Sequence, residues 1–575
     1  MKLFGAIALF LPFASAIWPI PSSYASGDSV LWVDKKVKIT YNSETQSVGY
    51  MQNSSNPNGT VTGAQIVATA IQRTLDTIFT QNFIPWKFHP RNSNFEPSES
   101  NKTYIRSIAL QQNSTDSKTA SKALDGAVDE SYTLSVTKDG AVTITAASSI
   151  GISYGLNTFT QLFYKHSKGG AYTPLAPVQI SDAPEFPHRG MNMDVARSWY
   201  PVPDVLRMID ALAYNKMNRF HLHATDSQSW PLVIPALPDL ATKGAYRSDL
   251  VYSPADLKNI QTYGALRGVE VIVEIDMPGH TSSIWFSHPE LITAFNVQPN
   301  WGTYAAEPPS GTLKLNSSAV SDFLNTLLND LLPRVSPYSS YFHTGGDEVN
   351  LNAYNLDETV RSNKTAVLQP LMQKFVDRNH NQVRAAGLTP IVWEEMLLVW
   401  NLTLGEDVVV QTWQSEAAVA ATVASGHKAL VGNYNYWYLD CGHGQWLDFA
   451  PGVSSREFYP YNDYCSPRHN WRVMYAYDPL EGVPANGTHL VLGGEVHMWS
   501  EQTDPVNLDR NVWPRASAAG EVLWSGAKDA SGQNRSQITA SPRLSEMRER
   551  LVARGVMAEP IQMPFCTMNG TQCAL

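Results

Sequence analysis

The sequence has few cysteines, a modest content of charge and no long apolar segment beyond its first residues. Of 575 residues, 4 are Cys and 16% are charged. No stretch after Phe13 reaches the roughly 18 consecutive apolar residues of a transmembrane helix, so no membrane span is predicted. The chain also lacks a long run of Lys or Arg, and its net charge is −10. We therefore expect neither a nucleic acid nor a membrane as a partner.

The amino-terminal segment predicts export. Lys2, an apolar run over residues 3–13 and the small residues at 14–16 are typical of a cleaved secretory signal peptide spanning residues 1–16. In a secreted chain, Asn-x-Ser/Thr sequons are predicted glycosylation sites. The sequons lie at Asn53, Asn58, Asn101, Asn113, Asn316, Asn363, Asn401, Asn486, Asn534 and Asn569. The expected location is extracellular.

The four cysteines form two pairs that are local in sequence. An exported protein folds where disulfides persist, and four cysteines allow three connectivities. Each local pair brackets a turn-rich segment with little helix, which favours Cys441 with Cys465 and Cys566 with Cys573. We therefore predict two short-range disulfides.

The length of the chain predicts two domains, because it exceeds what one hydrophobic core usually serves. Residues 17–185 mix strand-like and helix-like segments without a repeated βα unit, so an α+β domain is expected there. Its strand candidates are 36–41, 104–109, 132–136 and 141–146, and its helix candidates are 63–79 and 149–164. Residues 88–103 are polar and rich in Pro, Ser and Asn, which predicts an exposed loop.

From residue 186 to the end, short apolar strands alternate with amphipathic helices. The strand candidates are 190–195, 219–224, 270–276, 341–345, 390–393, 408–413, 429–433 and 490–495. The helix candidates include 203–215, 254–267, 319–332, 370–386 and 416–424. Eight such strands predict a (β/α)8 TIM barrel with long insertions and a C-terminal helical segment. In that fold, functional groups follow the carboxyl ends of the strands.

Polar or aromatic side chains follow all eight predicted strands. After the fourth strand, Gly345 and Gly346 lead directly into the adjacent carboxylates Asp347 and Glu348. Glycines permit backbone torsions that β-branched residues resist, and they leave room for a ligand against the main chain. The other strand ends lead to Asp194, Arg197, Asp226, Asp276, His280, Trp393, Trp413, Tyr438, Asp440, Trp499 and Glu501. Together they predict a catalytic site at this end of the barrel.

The motif His-x-Gly-Gly-Asp-Glu at residues 343–348 resembles the signature of the β-N-acetylhexosaminidases of glycoside hydrolase family 20. The other segments after the strands resemble their counterparts in the family, and the chain is similar to its secreted fungal-type members. This resemblance implies that Asp347, Glu348 and Tyr438 are catalytic. Tyr438 would donate a hydrogen bond to the carbonyl oxygen of the substrate's acetamido group.

The same resemblance implies the substrate-binding residues. Arg197 would bind the 3- and 4-hydroxyl groups of the terminal sugar, with Glu501 on the 4-hydroxyl and Asp440 on the side of the 6-hydroxyl. The implied aromatic walls are Trp393, Trp413 and Trp499, and the implied polar network behind the carboxylates is Asp226, Asp276 and His280. The sequence departs from the common family pattern at Ala196, where Ser is frequent, and this position carries none of the roles.

Adjacent carboxylates also indicate a mechanism. Two carboxyl groups that act across a sugar ring stand about 5–5.5 Å apart in retaining enzymes and about 6.5–9.5 Å apart in inverting ones, whereas successive side chains on extended backbone diverge. We therefore expect the 2-acetamido oxygen of the substrate to attack the anomeric carbon. Glu348 would protonate the leaving oxygen and then activate water, while Asp347 holds the amide N–H. Their proximity predicts divergent pKa values, with one group kept protonated for acid work.

The predicted function is an exo-acting, retaining β-N-acetylhexosaminidase that removes terminal N-acetylglucosamine or N-acetylgalactosamine from chitooligosaccharides and glycans. No cofactor and no metal are expected. The resemblance further implies a homodimer. Fungal-type relatives carry a pro-region, which in this chain would be cut most easily in the loop at 88–103.

Two alternatives stay open at this point. His221 and His223 lie two apart on a predicted strand, so both imidazoles would face one side, as in a zinc hydrolase. No third and fourth ligands are evident at the strand ends. A lectin would keep the pocket without turnover, and the intact Asp347 and Glu348 argue against it.

Overall fold

The computed structural model describes residues 16–45, 60–117, 120–448 and 462–573. The predicted signal peptide, except for Ala16, and the sequons at Asn53 and Asn58 lie outside these residues. Among the helices in the described ranges, none is long and apolar enough to cross a membrane.

The N-terminal domain is built on a seven-stranded sheet. Its strands are β1 (Ser23–Tyr41), β2 (Glu44–Thr45), β3 (Tyr104–Gln112), β4 (Tyr132–Val136), β5 (Ala141–Ala146), β6 (Tyr164–Lys165) and β7 (Ala171–Asp182). Their order is β2-β1-β3-β5-β4-β7-β6, and β1 also pairs with β7. The predicted α+β domain is confirmed. Strand β7 was not predicted, because Pro174 and Pro177 interrupt its sequence and proline usually argues against a strand.

Two helices, α1 (Gly63–Phe79) and α2 (Ser149–Thr160), pack against each other, and α2 also contacts β4 and β5. Helix α1 begins at a capping box in which Thr62 and Gln65 satisfy each other's backbone N–H groups. Its buried residues include Ile66, Val67 and Ile71, which recur at helical spacing. This apolar face places the helix against the domain core.

The second domain is a closed barrel of eight parallel strands, so the predicted TIM barrel is confirmed. In order around the barrel the strands are β8 (His188–Asp194), β9 (Arg219–His223), β10 (Glu270–Glu274), β13 (Tyr341–His343), β14 (Thr389–Trp393), β15 (Val409–Thr412), β16 (Lys428–Val431) and β17 (Val491–Met498). A short hairpin, β11 (Ile292–Thr293) and β12 (Thr312–Leu313), lies in the insertion after β10. Each barrel strand ends within three residues of its prediction.

Helices surround the barrel between most of its strands. They are α3 (Val202–Tyr214), α4 (Asp239–Gly244), α5 (Pro254–Ala265), α6 (Ser318–Val335), α7 (Thr365–Ala385), α8 (Glu395–Leu398), α9 (Glu416–Ala424), α10 (Tyr434–Trp437), α11 (Trp471–Ala476), α12 (Leu508–Val512), α13 (Arg515–Ser525), α14 (Gln537–Ala553) and α15 (Pro564–Met568). Helix α14 reaches the N-terminal domain, where Arg550 donates to the carbonyl oxygens of Gln161 and Phe163. The C-terminal segment therefore ties the two domains together.

Buried ion pairs join the domains directly. Lys216 lies 2.7 Å from Asp182 at the end of β7, and both side chains are fully buried. Arg189 on β8 forms a two-pronged pair with Glu130, with N–O distances of 3.0 and 2.7 Å. Because breaking a buried pair leaves an unpaired charge, these contacts fix the N-terminal domain against the amino-terminal end of the barrel.

Candidate active site

The carboxyl ends of the barrel strands surround a cavity of about 430 Å³. Of the twelve residues with a predicted catalytic or binding role, nine line it: Arg197, His280, Asp347, Glu348, Trp413, Tyr438, Asp440, Trp499 and Glu501. The other three, Asp226, Asp276 and Trp393, are buried to 1% exposure or less and stand behind the lining residues. The structure therefore brings all twelve into one place, in two layers.

The glycine pair after β13 is required by close packing. Gly345 and Gly346 have φ of 67° and 111°, which L side chains rarely adopt. A Cβ atom on Gly345 would lie 1.8 Å from an oxygen of Asp276, and one on Gly346 would lie 2.7 Å from Met396. The backbone N–H of Gly346 donates to Asp276 at 2.8 Å. This turn places Asp347 in the cavity lining, next to the buried Asp276.

The side chains of Asp347 and Glu348 occupy different environments. Glu348 has a φ of 51°, a left-handed conformation in the active-site turn. The Asp347 side chain is 12% exposed and that of Glu348 is 34% exposed. His280 joins them, with Nε2 lying 3.4 Å from Glu348 and 3.9 Å from Asp347, while its Nδ1 contacts Asp226 at 3.1 Å. The two carboxylates therefore differ in exposure, although an oxygen of each and a nitrogen of His280 lie within 4.8 Å of one another.

Burial sets the protonation of the inner carboxylates. Burial and the neighbouring Asp276 raise the pKa of Asp347 well above its usual range. Burial also raises the pKa of Asp276 to about 6, against the opposing effect of His280. Oxygen Oδ1 of Asp347 and Oδ2 of Asp276 have no hydrogen-bond partner within the described structure. The side chains of Asp347 and Asp276 interact with each other, and a proton on one of them supplies the donor that two ionised carboxylates lack.

Arg197 forms the charged corner of the cavity. Its guanidinium lies 2.9 Å from Asp226 and contacts Glu307, and it stands 5.2 Å from the centre of the Trp499 ring. Burial raises the pKa of the nearby Glu501 well above its usual range, against the effect of Arg197. This cluster of donors and acceptors is suited to binding sugar hydroxyl groups.

Aromatic rings line the opposite part of the cavity. Trp413 and Tyr438 are nearly parallel with centres 6.3 Å apart, and Tyr438 lies 6.4 Å from Trp499. Trp393 was expected in the same wall but is buried behind it. Its ring centre lies 6.1 Å from that of Trp499, and its Nε1 donates a hydrogen bond to Glu274. The rings offer flat apolar faces of the kind that pack against a sugar ring and an acetamido methyl group.

Several lining residues were not identified from the sequence. Glu307 lies in the long insertion between β10 and α6, where no motif marks it. Its Oε1 accepts hydrogen bonds from Arg197 and from Gln228. Trp446 and Tyr464 lie between Cys441 and Cys465, so the predicted disulfide loop could have indicated them.

Both predicted disulfides are confirmed. Cys441–Cys465 and Cys566–Cys573 have Cα–Cα distances of 5.3 and 5.5 Å. The first begins next to Asp440 and closes the loop that carries Trp446 and Tyr464. Within that loop, Asp463 accepts the backbone N–H groups of Gly442 and Gly444. The bridge therefore fixes one wall of the cavity.

Removing the first bridge is expected to reduce activity as well as stability. In the chain-entropy description, its loop contributes about 3.5 kcal/mol and the shorter carboxyl-terminal loop about 2.5 kcal/mol. The double variant Cys441→Ser/Cys465→Ser should raise KM and lower kcat/KM by about tenfold, since a 1 Å displacement of a positioning group costs that or more. The matched control is Cys566→Ser/Cys573→Ser, which should lower only the melting temperature. Equal kinetics for both variants at moderate temperature would contradict this expectation.

The histidine pair considered as a zinc site is engaged with carboxylates. His221 contacts Glu495 and Glu274, and His223 contacts Glu274 and Asp226, in each case through both ring nitrogens. The imidazoles of this pair therefore belong to a hydrogen-bonded network beneath the cavity.

Comparison with known proteins agrees with this site. Residues 186–527 match the catalytic domain of glycosyl hydrolase family 20, and residues 17–162 match a domain described as beta-acetyl hexosaminidase like. A beta-hexosaminidase of Arthroderma benhamiae is 43% identical over 609 aligned positions, which cover 100% of this chain and 98% of that protein. A chitooligosaccharidolytic beta-N-acetylglucosaminidase of Ostrinia furnacalis is 32% identical over 79% of this chain and 76% of that protein.

Solved structures share the fold over nearly the whole chain. The chitobiase of Flavobacterium johnsoniae has a TM-score of 0.69 at 25% identity and covers 94% of this chain and 73% of its own. An exo beta-N-acetylglucosaminidase of Vibrio harveyi, solved with N-acetylglucosamine, has a TM-score of 0.71 at 21% identity, covering 95% and 79%. From the matched domains, the full-length relative and the strand-end residues, the chain belongs to glycosyl hydrolase family 20 and is a glycoside hydrolase of the β-N-acetylhexosaminidase type.

Proposed function

We propose that this hydrolase removes terminal, non-reducing N-acetylglucosamine or N-acetylgalactosamine from chitooligosaccharides and glycans, with retention of configuration and with the substrate's acetamido group as nucleophile. The observation that carries the proposal is that the adjacent side chains of Asp347 and Glu348 differ in exposure. Asp347 is buried beside Asp276, while Glu348 is more exposed at the cavity. Because one of these adjacent carboxylates is buried and the other is open to the cavity, we assign them separate tasks, and the substrate's acetamido group takes the place of a protein nucleophile.

The residues of this chain divide the reaction between them. Tyr438 and Trp413 line the part of the cavity suited to the acetamido group, and Tyr438 orients its carbonyl oxygen toward the anomeric carbon. Asp347 accepts the amide N–H and balances the positive charge of the oxazolinium ion that forms. Glu348 protonates the departing oxygen and then removes a proton from the water that opens the ring. Arg197 and Glu501 hold the hydroxyl groups at the closed end, so a single terminal sugar is bound.

The test compares three 4-nitrophenyl glycosides. The N-acetyl-β-glucosaminide and the N-acetyl-β-galactosaminide should be hydrolysed, and the β-glucoside should not, because it lacks the acetamido nucleophile while both carboxylates stay in place. Proton NMR should detect the β-anomer of the product first. Chitotetraose should lose one sugar at a time from its non-reducing end. Comparable rates on the glucoside would refute the substrate-assisted mechanism and would indicate that a protein side chain is the nucleophile.

Export and glycosylation form part of the same proposal. The described sequons at Asn101, Asn113, Asn316, Asn363, Asn401, Asn486 and Asn534 have exposed asparagines, and Asn569 is partly exposed. Two disulfides also agree with an oxidising compartment. Enzymatic deglycosylation of protein collected from the culture medium should lower its apparent mass. An intracellular, unglycosylated product would contradict the secreted state.

The proposal also includes a homodimer and a pro-region that stays attached after cleavage. Residues 89–95 are largely exposed, so the loop at 88–103 is open to a protease. Strand β1, which would lie in the released piece, pairs with both β3 and β7. A cut in this loop should therefore leave two fragments that co-elute from a sizing column and separate only in denaturant. Light scattering on the same column measures whether the species is a dimer.

A further inference from the structure

A row of imidazoles and carboxylates runs through the interior of the barrel. His188 lies between two carboxylates, with Nδ1 at 3.1 Å from Asp125 and Nε2 at 2.8 Å from Glu495. His221 follows in the same way, with Nδ1 at 2.9 Å from Glu495 and Nε2 at 3.0 Å from Glu274. Glu495 is thus shared between two imidazoles.

The pattern continues to the catalytic site. His223 lies 2.5 Å from Glu274 through Nδ1 and 2.8 Å from Asp226 through Nε2. His280 then joins Asp226 to Glu348 at 3.1 and 3.4 Å. We call this set the histidine–carboxylate row. In order it consists of Asp125, His188, Glu495, His221, Glu274, His223, Asp226, His280 and Glu348.

The geometry of the row determines its charges. An ionised carboxylate only accepts hydrogen bonds, so an imidazole whose two nitrogens both face carboxylates must donate from both and carry a positive charge. The pKa directions agree. Burial opposes the charge on His221, but Glu495 and Glu274 overcome it and raise its pKa to about 9. Burial likewise opposes ionisation of Glu274, yet His223 and its other imidazole neighbours hold its pKa well below the usual range.

Stability alone does not account for such a row. The interiors of these barrels are ordinarily filled by Val, Ile and Leu, and here one interior cluster is apolar, with Ile272, Ile391 and Leu430 among its members. Buried ion pairs stabilise a fold no better than apolar side chains of similar volume, although breaking them is costly. Alternating buried charges therefore point to a role in the site to which they lead.

Glu274 is the central member of the row. It contacts His221 and His223, accepts the Nε1 hydrogen of Trp393 at 2.8 Å, and lies 3.1 Å from Nδ1 of His343. Its side chain is fully buried and it does not line the cavity. Glu274 thus holds both the imidazole that supports Asp226 and a ring that packs behind the cavity wall.

The far end of the row belongs to the other domain. Asp125 lies in the N-terminal domain, and its side chain is 2% exposed. Besides His188 it contacts Arg219 at 2.8 Å and accepts from the hydroxyl of Tyr341 at 3.0 Å. Arg219 and Tyr341 lie on barrel strands, so the N-terminal domain supplies the carboxylate that these two barrel residues contact.

We infer that the histidine–carboxylate row is a positioning device for the reaction, in which Glu274 is the central positioning residue and Asp125 is an anchor supplied by the N-terminal domain. The row fixes the orientation and charge of His280, which contacts both catalytic carboxylates. Activity of the barrel then depends on a side chain of the neighbouring domain. The inference rests on the proposed function for its assay.

Other ionisable groups lie around the row and also contribute to its pH dependence. Around Asp125 and His188 they are Arg219, Glu270 and Tyr341; around Glu274 they are His343, His497 and Asp276; and around Asp226 and His280 they are Arg197, Asp194, Glu307 and Asp347. Of these, Asp276 is the group whose ionisation the negative charge on Glu274 directly opposes.

The variant Glu274→Gln keeps the shape of the side chain and removes its charge. We expect kcat to fall by about 10- to 100-fold, the usual effect of losing a group that orients a functional imidazole, while KM changes less. His223 retains Asp226 as a partner and so keeps its proton. The variant site therefore carries one negative charge fewer than the wild-type site. The pKa of Asp276 then falls, so the Asp276–Asp347 pair loses its first proton at lower pH, and the acidic limb of the kcat/KM profile moves to lower pH. A profile of unchanged shape would overturn the positioning role.

Two further variants complete the test. Asp125→Asn should lower kcat severalfold and move the acidic limb in the same direction by a smaller amount; unchanged kcat would overturn the anchor. Glu521→Gln is the matched control, because Glu521 is a fully buried carboxylate paired with Arg543 outside the row. It should lower the melting temperature without displacing the pH profile. If Glu274→Gln fails to fold, Glu495→Gln takes its place, and failure of all row variants to fold would show a structural role only.

The wild-type protein separates the two levels of inference. If it does not hydrolyse 4-nitrophenyl N-acetyl-β-glucosaminide, the proposed function fails. If it does, and the row variants keep its kcat and pH profile, the row fails while the proposed function stands.

Discussion

The variant Glu348→Gln is expected to lose on the order of 10²- to 10⁴-fold in kcat on chitobiose, because the departing sugar must receive a proton from this residue. Its side chain is 34% exposed at the cavity, and His280 lies 3.4 Å from it. Gln keeps the size of the side chain and its ability to accept hydrogen bonds, but it cannot transfer a proton. The loss should therefore appear in the chemical step and leave KM nearly unchanged.

The leaving group distinguishes this role from a general disturbance of the site. A phenol activated by nitro groups departs unprotonated, so the first step should be affected much less on such a substrate. Glu307→Gln is the control, since Glu307 lines the same cavity and contacts Arg197 but has no place near the departing oxygen. Its effect should be the same for both leaving groups. An equally large loss for Glu348→Gln on chitobiose and on the activated phenol would contradict general acid catalysis.

The barrel was predictable because parallel strands in this fold are buried on both faces. They therefore appear in the sequence as short apolar runs between amphipathic helices. Val271 to Val273 and Val409 to Val410 are such runs, and all are buried. The residues after the strands were predictable for a related reason, since the fold places every strand end at one face. Gly345 and Gly346 marked the turn, and the close approach of Asp276 to the first and of Met396 to the second shows why a side chain would be crowded there.

Other parts of the site left no local pattern. Glu307 reaches the cavity from the middle of a long insertion, and its position depends on how residues 292–313 fold back toward Arg197. The histidine–carboxylate row draws its members from the N-terminal domain, from strands β8, β9, β10 and β17, and from the loops after β9, β10 and β13. Sequence spacing showed His221 and His223 on one face of a strand, but the shared partner Glu274 comes from the adjacent strand. Only the register between β9 and β10 brings them together.

The sequence predicts different pKa values for the two adjacent carboxyl groups, but the structure raises the pKa of a different group from the one expected. The protonated group was expected to be the general acid. In the structure, burial instead raises the pKa of Asp347 well above its usual range. In the proposed mechanism, Asp347 must be ionised when the oxazolinium ion forms. The positive charge of that ion supplies the missing partner, because an opposite charge at this distance favours the carboxylate. Binding of the cationic intermediate should therefore release a proton from the Asp347–Asp276 pair.

The variant Asp347→Asn should accordingly bind a cyclised thiazoline analogue of the intermediate about 10²- to 10³-fold more weakly, as expected for loss of one preorganised electrostatic contact. Its kinetic defect should persist whatever the leaving group, which separates it from Glu348→Gln. In the wild-type protein the raised pKa means that the carboxylate form is lost as the pH falls. The analogue itself is a neutral base in solution, and in the complex its ring nitrogen and Asp347 share one proton. Its affinity should therefore fall as the pH rises through the raised pKa of Asp347, because a proton must then be taken up, while the affinity of the Asn variant should not follow this dependence.

Inhibition constants measured across the acidic pH range, together with calorimetry in two buffers of different ionisation enthalpy, test both expectations. Above the raised pKa of Asp347, the wild-type protein should take up a proton on binding the analogue, and Asp347→Asn should not. Glu348→Gln serves as the matched control, because it removes the neighbouring carboxylate without removing the partner of the amide N–H. N-acetylglucosamine, which is uncharged, should bind all three proteins with similar affinity. If Asp347→Asn binds the thiazoline as tightly as the wild type does, the carboxylate does not stabilise the intermediate and the assignment of Asp347 fails.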